Sequence, residues 1–384
     1  MKYPKNFLFG SSTAAHQIEG GNFNSDWHQW EKVPGNIADG ANSDVAADSW
    51  NLWRKDIQLL KKTSQNAYRF SIEWAKIEPQ KGVFDYNAIN HYREILLELR
   101  ENNIKSMVTL FHFVLPKWIS DIGGFMNKKT VDHFGSYCEL MAKELGELVD
   151  FWVTINEPQT YALCGYVQGM WCPGKKNFFA GLKIGGILNK AHIIAYKKIR
   201  SVVTTPVGIS ENIAIFEPLY DNIVDRLFTR YINHLATFSF IAPISKYIDF
   251  LGINYYYKVN LQYKKPQFHF ISKKKTDMGW SIHQEGLYDV IMKNLIWRKP
   301  IYITENGVAD ENDRHRAKFL KDAFYYVQKA IQKGADVRGY FHWTLMDNFE
   351  WAEGYNAKFG LFTIDRAPRA SAYLYRDLIN KYSC

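Results

Sequence analysis

"DFWVTINEP" (residues 150–158) runs through consecutive β-favouring residues and then ends on Asn156, Glu157 and Pro158. Its apolar side chains follow one another instead of alternating with polar ones, which is the pattern of a strand buried on both faces of a parallel sheet. Pro158 biases Glu157 toward an extended conformation and suits the first turn of a following helix. The stretch therefore reads as a buried strand that carries a carboxylate at its C-terminal end. "IYITENG" (301–307) repeats the arrangement with Glu305, and Gly307 permits a sharp turn just beyond it.

Working outward, comparable runs occur along the whole chain. Strands are expected at 7–13 (FLFGSST), 66–72 (NAYRFSI), 105–112 (KSMVTLFH), 150–157, 206–213 (PVGISENI), 249–256 (DFLGINYY), 300–306 and 338–346 (RGYFHWTLM). Between them the apolar period lengthens. Val131, Phe134, Cys138, Met141 and Leu145 share one helical face, as do Ile89, Tyr92, Leu96 and Leu99, and Trp50, Trp53, Ile57 and Leu60. Eight strands with intervening helices, no internal repeat and no linker imply an α/β fold, a single (β/α)8 TIM barrel over residues 1–384. The helical region between 214 and 248 is the most weakly punctuated. In such barrels chemistry sits at the carboxyl ends of the strands. Strands four and seven lie three steps apart in a ring of eight, so Glu157 and Glu305 can face each other across the mouth.

Composition narrows the partners. The 384 residues are 47% hydrophobic and 16% aromatic, with 12 Trp, enough for a large core and for aromatic cleft walls. The net charge is +9, but Lys and Arg are scattered and no nucleic-acid-binding signature is present, so no nucleic acid is expected. The one dense basic stretch, 258–275, reads as a solvated loop, with steering of an anionic partner as the alternative. The N-terminus has too short an apolar run for a signal peptide and no segment reaches membrane-spanning length, so no membrane association is expected. Cys138, Cys164, Cys172 and Cys384 lack metal or redox spacing, which suits reduced thiols and a cytoplasmic location. Cys164 and Cys172 are close enough in sequence to approach one another. The 11 His are dispersed, so neither a metal site nor a cofactor is expected. The sequence leaves oligomeric state open.

A lone Glu at a strand end is commonly a cap or a salt-bridge partner. Two across a barrel mouth, among Trp and Tyr, suggest carbohydrate chemistry. Sugars offer apolar C–H faces to aromatics and hydroxyls to Gln, Glu, His and Asn. Candidates for such contacts at strand ends are Gln17, Glu19, His112, Asn156, Asn254, Tyr256, Trp343, Glu350 and Trp351.

The chain resembles glycoside hydrolase family 1, the β-glucosidase and β-galactosidase family, along nearly its whole length. The resemblance rests on "HQIEG" (16–20), "NAYRFSIEW" (66–74), "VTLFHF" (108–113), "TINEP" (154–158), "DFLGINYY" (249–256), "TDMGW" (276–280), "YITENG" (302–307) and "DNFEWAEGY" (347–355), in family order. It implies a retaining exo-β-glycosidase with Glu157 as acid/base and Glu305 as nucleophile, acting on terminal β-D-glucosyl residues, with galactose and fucose also accepted. The expected substrates are small carbohydrates, β-glucosides and short oligosaccharides. A transglycosylase using the same intermediate and a sugar-binding protein without catalysis are the alternatives.

The resemblance implies further roles. Arg69 and Tyr256 would hold Glu305 ionised, and Asn156 would take the sugar 2-hydroxyl. Gln17, His112 and Glu350 would bind hydroxyls, with Asn254 and the Trp351 indole alongside them. Trp343 would form the platform under the ring, and Phe359 and Trp280 would line the cavity edge. Alternatives from the residues themselves are that Arg69 neutralises Glu73 and that His112 is a core histidine. Carboxyl groups of a retaining pair lie ~5 Å apart, so a charge on Glu305 keeps a proton on Glu157 until the sugar ester forms. The charge of Glu350 would repel a phosphate, so unphosphorylated sugars are expected. The chain is shorter than is usual for the family near 175 and between 205 and 250, so its fifth and sixth βα loops should be abbreviated. "LPKW" (115–118) also departs from the Trp-Asp pair that many members carry after the His.

Overall fold

Eight parallel strands close into a barrel in the computed structural model, which describes residues 2–265 and 267–383. They are β1 (Leu8–Ser12), β2 (Ala67–Ser71), β3 (Lys105–Phe111), β4 (Phe151–Asn156), β5 (Val207–Asn212), β7 (Phe250–Asn254), β9 (Ile301–Asn306) and β10 (Val337–Trp343). Each pairs with its neighbours in chain order, and β1 closes the ring on β10 with Leu8 opposite Gly339 and Ser12 opposite Trp343. Two shorter strands, β6 (Ile215–Pro218) and β8 (Lys258–Leu261), form a separate parallel pair. Cys384 lies outside the described residues.

Every residue of β1, β2, β7 and β9 is buried, as their near-continuous apolar runs require. Leu8, Ala67, Met107, Val153, Phe250, Tyr302 and Phe341 cluster as one group, contributed by seven of the barrel strands. Gly208 has no side chain because the Phe250 ring occupies that space; a Cβ there would lie 2.7 Å from it. Outside the barrel, Lys129–Leu145 buries Val131, Phe134, Cys138, Met141 and Leu145, and Tyr86–Glu101 buries Ile89, Tyr92, Leu96 and Leu99. Ser49–Lys62 buries Trp53, Ile57 and Leu60, while Trp50 stays half-buried. The weakly punctuated region contains one helix, Ile223–Phe238, capped by the Asn222 side chain, and a short turn of helix at Ile241–Ile244.

Two expectations change. The last strand ends at Trp343 and not at 346, because residues 344–346 and 359–362 bond to each other: Leu361 N donates to Thr344 O (3.1 Å) and Phe362 N to Leu345 O (3.0 Å). The basic stretch 258–275 is not loop throughout, since Lys258–Leu261 pairs with β6 and buries Val259 and Leu261. Cys138, Cys164 and Cys172 are free thiols, in line with the reduced state expected of them.

Apart from one at the amino end of β10, between Val337 and Gly339, register irregularities fall near the carboxyl ends of the strands: between Val153 and Asn156 in β4, between Ile253 and Asn254 in β7, and between Tyr340 and His342 in β10. Bulges of this kind re-aim side chains. They sit beside Asn156, Asn254 and Glu305, where the site lies.

Candidate active site

Glu157 follows the end of β4 in a left-handed conformation (φ 43°, ψ 58°), not the extended one that the following proline suggests. Both of its backbone groups are engaged. Its N–H donates to Ser210 O at 2.7 Å, and its carbonyl accepts from Tyr161 N at 3.0 Å, starting the helix Pro158–Ala162. The surrounding barrel thus holds a conformation that costs about 1–3 kcal/mol in isolation. Gly307 serves by close approach more than by turning: a Cβ there would lie 1.9 Å from the Trp343 carbonyl oxygen.

Buried hydrogen bonds join the two carboxylates. Arg69, fully buried on β2, donates from Nη1 to Glu305 Oε1 and from Nη2 to Asn156 Oδ1 (2.6 Å). The Tyr256 hydroxyl donates to Glu305 Oε2 at 2.5 Å. Asn254, the register partner of Glu305, donates to Glu157 Oε1 (2.8 Å) and Asn156 Oδ1 (3.2 Å). Asn212 donates to Glu157 Oε2 at 3.3 Å. Arg69 is therefore committed to Glu305 and does not neutralise Glu73, whose side chain instead caps the helix Trp74–Ile77.

The electrostatics of the pair are unequal. Burial pushes the Glu305 carboxyl above its ordinary range, while the Arg69 charge and the Tyr256 hydroxyl oppose that rise. Glu157 has amide partners but no cation among its hydrogen bonds; burial first, then the charge of Glu305, push it up to about 7. A cation and a phenol favour the anion of Glu305, and Glu157 has neither among its partners.

Glu157 and Glu305 open onto a cavity of ≈ 220 Å³, which His112, Asn156, Tyr256, Trp343, Glu350 and Trp351 also line. Trp280 and Phe359 line it too, in ring contact with Tyr256 at 6.0 and 6.1 Å. His112 is no ordinary core residue. It stacks against Trp343 and Trp351 (6.0 Å each), its Nε2 faces Asn156 Nδ2 at 3.1 Å, and burial and Arg69 hold it well below its usual range, so it is neutral. Gln17 donates to Glu350 Oε2 at 3.1 Å, and its own buried Oε1 has no protein partner.

Glu350 departs from expectation. Burial, together with the charges of Glu305 and Glu157, outweighs the Gln17 bond and pushes it up to about 8, so it is largely neutral at pH 7. Burial thus works against the fixed charge that was expected there to repel a phosphate. Glu19 lies outside the cavity, locked to Lys76 (2.9 Å) and accepting from the Tyr92 hydroxyl (2.9 Å). It borders a wider surface cleft of ≈ 590 Å³ where His91 and Lys76 cover Trp50, each 3.8 Å from its ring.

The sequence reading did not single out Asn212, Glu211 or Trp171. Trp171 lines the cavity from the segment after β4, and nothing in its spacing marks it. Asn212 and Glu211 end β5. Glu211 is fully buried, its Oε1 accepts from Asn212 N (3.0 Å), and burial and Glu157 raise it well above a carboxylate's usual range. The "SEN" ending of that strand parallels the "INE" and "TEN" endings of β4 and β9, which was the available signal. Among the described residues, no group of three or more His, Cys, Asp or Glu is arranged to hold a metal ion.

Comparison with known proteins gives a consistent picture. The Glycosyl hydrolase family 1 profile matches residues 1–240 and 240–383. Beta-glucosidase A of Acetivibrio thermocellus is 34% identical, covering 98% of each chain. That alignment spans 438 positions, more than the 384 residues of this chain, so the chain carries gaps relative to it, as shortened loops require. Among solved structures, the β-glucosidase from Thermotoga maritima in complex with glucoimidazole superposes with a TM-score of 0.95 at 31% identity, covering 100% of this chain and 99% of that one. A β-glycosidase from Pyrococcus horikoshii gives 0.92 at 36% identity, covering 100% and 98%.

Proposed function

The chain belongs to glycosyl hydrolase family 1, and from that premise we propose that it is a retaining, exo-acting β-glucosidase with Glu305 as nucleophile and Glu157 as acid/base. The observation that carries the assignment is the unequal setting of the two carboxyls. Glu305 has a buried guanidinium and a phenol donating to it, whereas Glu157 has two amides and sits at about 7.

In the first step Glu157 gives its proton to the glycosidic oxygen while a Glu305 oxygen attacks the anomeric carbon. The C–O bond to the leaving group breaks and a glycosyl ester forms. Esterification removes the Glu305 charge, one of the two causes that raise Glu157, so Glu157 becomes a better carboxylate. It then takes a proton from water, which attacks the same carbon and frees Glu305. Asn156 can assist at the sugar 2-hydroxyl: its Oδ1 is taken by Arg69 and Asn254, and one of the two Nδ2 hydrogens faces His112, which leaves the other to donate. Trp343 serves as the platform, with Gln17, His112, Glu350 and Trp351 around the remaining hydroxyls.

Glucose as the preferred sugar is supported by the relatives named as β-glucosidases. The test is the anomer first released from a β-glucoside, followed by NMR before mutarotation. β-Glucose is expected; α-glucose would overturn the retaining assignment. A panel of nitrophenyl β-glycosides ranks glucose against galactose and fucose in the same preparation, and excess acceptor alcohol measures the share of transglycosylation.

A further inference from the structure

Charge is unevenly distributed along this chain. Residues 170–275 hold 16 of its 48 Lys and Arg but five of its 39 Asp and Glu, so this segment carries +11 and the remainder −2. The same segment contains a helix that faces the wrong way. In Ile223–Phe238, a helical projection puts Ile223, Val224, Leu227, Phe228, Tyr231 and Leu235 on one half of the circumference, and Asp225, Thr229, Asn233 and Thr237 on the other. A surface helix of a globular protein buries its apolar half. Here Asp225, Thr229 and Thr237 are buried, while Ile223 is 66% exposed, Leu227 58% and Tyr231 59%.

Hydrogen bonds on the polar side fix this inverted orientation. Asn233 accepts from Phe216 N (3.2 Å) and donates to Phe216 O (2.6 Å), gripping β6, and Asp225 Oδ1 accepts from Tyr263 N (2.7 Å) just past β8. Rolling the apolar half inward would break all three. The surface extends on both sides of the helix. The exposed Tyr263 packs on Phe228 at 5.6 Å, and its loop continues to the exposed Ile271. The C-terminal end of the helix, at Ser239 and Phe240, shares a groove of ≈ 320 Å³ with Phe178 and Leu182.

Exposed cations border this surface: Arg226 and Arg230 on the helix, Lys264 and Lys265 beside Tyr263, and Lys273, Lys274 and Lys275 beside Ile271. Among the described residues, Arg226 alone of these has a carboxylate partner, Asp221 at 3.0 Å. Exposed apolar side chains framed by cations are the composition of an interfacial surface that inserts shallowly among anionic headgroups. Two copies meeting through this face would juxtapose like charges, and a nucleic acid would leave the apolar half uncovered.

We propose that this face docks the protein onto an anionic lipid bilayer, with Ile223, Leu227 and Tyr231 entering the headgroup region and the flanking lysines engaging lipid phosphates. No described helix is long and apolar enough to cross a membrane, so the contact is made at the surface. The loop that follows β8 goes on to Met278 and Trp280, which line the catalytic cavity, so docking holds the cavity mouth near the bilayer.

Flotation of the full chain with vesicles of phosphatidylcholine, alone or mixed equally with phosphatidylglycerol, tests this. Binding is expected to the mixed vesicles at low salt and to weaken as salt rises. The double variant Leu227→Glu, Tyr231→Glu is expected to lower the bound fraction about tenfold or more, with hydrolysis of a soluble nitrophenyl glucoside unchanged. The triple variant Lys273→Glu, Lys274→Glu, Lys275→Glu is expected to remove the preference for phosphatidylglycerol. Failure of the unmodified chain to float with either vesicle, or equal flotation of chain and double variant, would overturn the proposal. So would a dimer in sedimentation velocity that the double variant dissociates, without flotation, since the face would then bind a second copy.

Discussion

Glu157 is held at about 7 by burial and by the charge of Glu305, and that value fixes where activity should fail. Glycosylation of an alkyl β-glucoside needs the protonated form. Activity is therefore present below about pH 7 and lost as pH rises through it, with kcat/KM falling about tenfold per pH unit beyond. Glu157→Ala removes the group that titrates. For the alkyl glucoside, whose leaving oxygen needs a proton, kcat/KM at pH 6 should fall about 10²–10⁴-fold, the usual size of a general-acid contribution. For a dinitrophenyl glucoside, which departs without a proton, glycosylation should survive while the slower deglycosylation limits turnover. The basic limb near pH 7 should vanish from its profile. Azide, which needs no deprotonation, should restore turnover and give the β-glycosyl azide. Steady-state pH profiles for the two substrates, with and without azide, provide the assay. If the variant keeps the basic limb at the same pH, or if azide gives the α-anomer or no acceleration, Glu157 is not the acid/base.

Arg69→Met removes the cation that opposes the burial of Glu305, so the acidic limb of kcat/KM should move to higher pH and kcat should fall by about 10²-fold or more; an unmoved acidic limb would show that Arg69 does not set the state of Glu305. Glu350→Gln should be mild at pH 6, where Glu350 already carries its proton, and far milder than Glu350→Ala, which leaves one Gln17 amide hydrogen without its acceptor while the other stays on Asn348. The folded Glu350 value lies above its ordinary one, so its contribution to stability is complete below about pH 4.5 and is lost as pH rises through about 8. Glu350→Gln should accordingly raise Tm relative to the parent at pH 9 but not at pH 4, as calorimetry can record. Gly307→Ala forces a Cβ against the Trp343 carbonyl and should destabilise by about 1–3 kcal/mol in denaturant unfolding, with loss of activity as Trp343 shifts.

The barrel was legible because strands buried on both faces cannot hide their composition. Each of the eight expected runs overlaps a barrel strand, and the helix faces at 86–101 and 129–145 bury the residues their spacing selects. Legibility failed where tertiary contacts overrule local preference. Pro158 argues for an extended Glu157, but bonds to Ser210 and Tyr161 hold it left-handed. Lys258–Leu261 looked like loop because its neighbours are lysines, yet β6 gives it a partner. The Ile223–Phe238 helix resisted reading for a related reason: its burial follows Asp225, Thr229 and Thr237, not its apolar residues. Within the site, the carboxylates announced themselves by ending apolar strands. Asn212 ends β5 much as the carboxylates end β4 and β9, but Trp171 depends on where the chain returns after β4, which no local spacing encodes. The protonation of Glu350 was equally hidden, since it comes from burial beside two other carboxyls.

The most direct test of the assignment is covalent trapping. A 2-deoxy-2-fluoro-β-glucosyl fluoride slows both steps, but the second more, so the ester accumulates and can be read by intact mass and peptide mapping. One fluoroglucosyl group on the peptide containing Glu305, formed with loss of activity, is the result expected. An adduct on the peptide containing Glu157, or inactivation without any adduct, would contradict it.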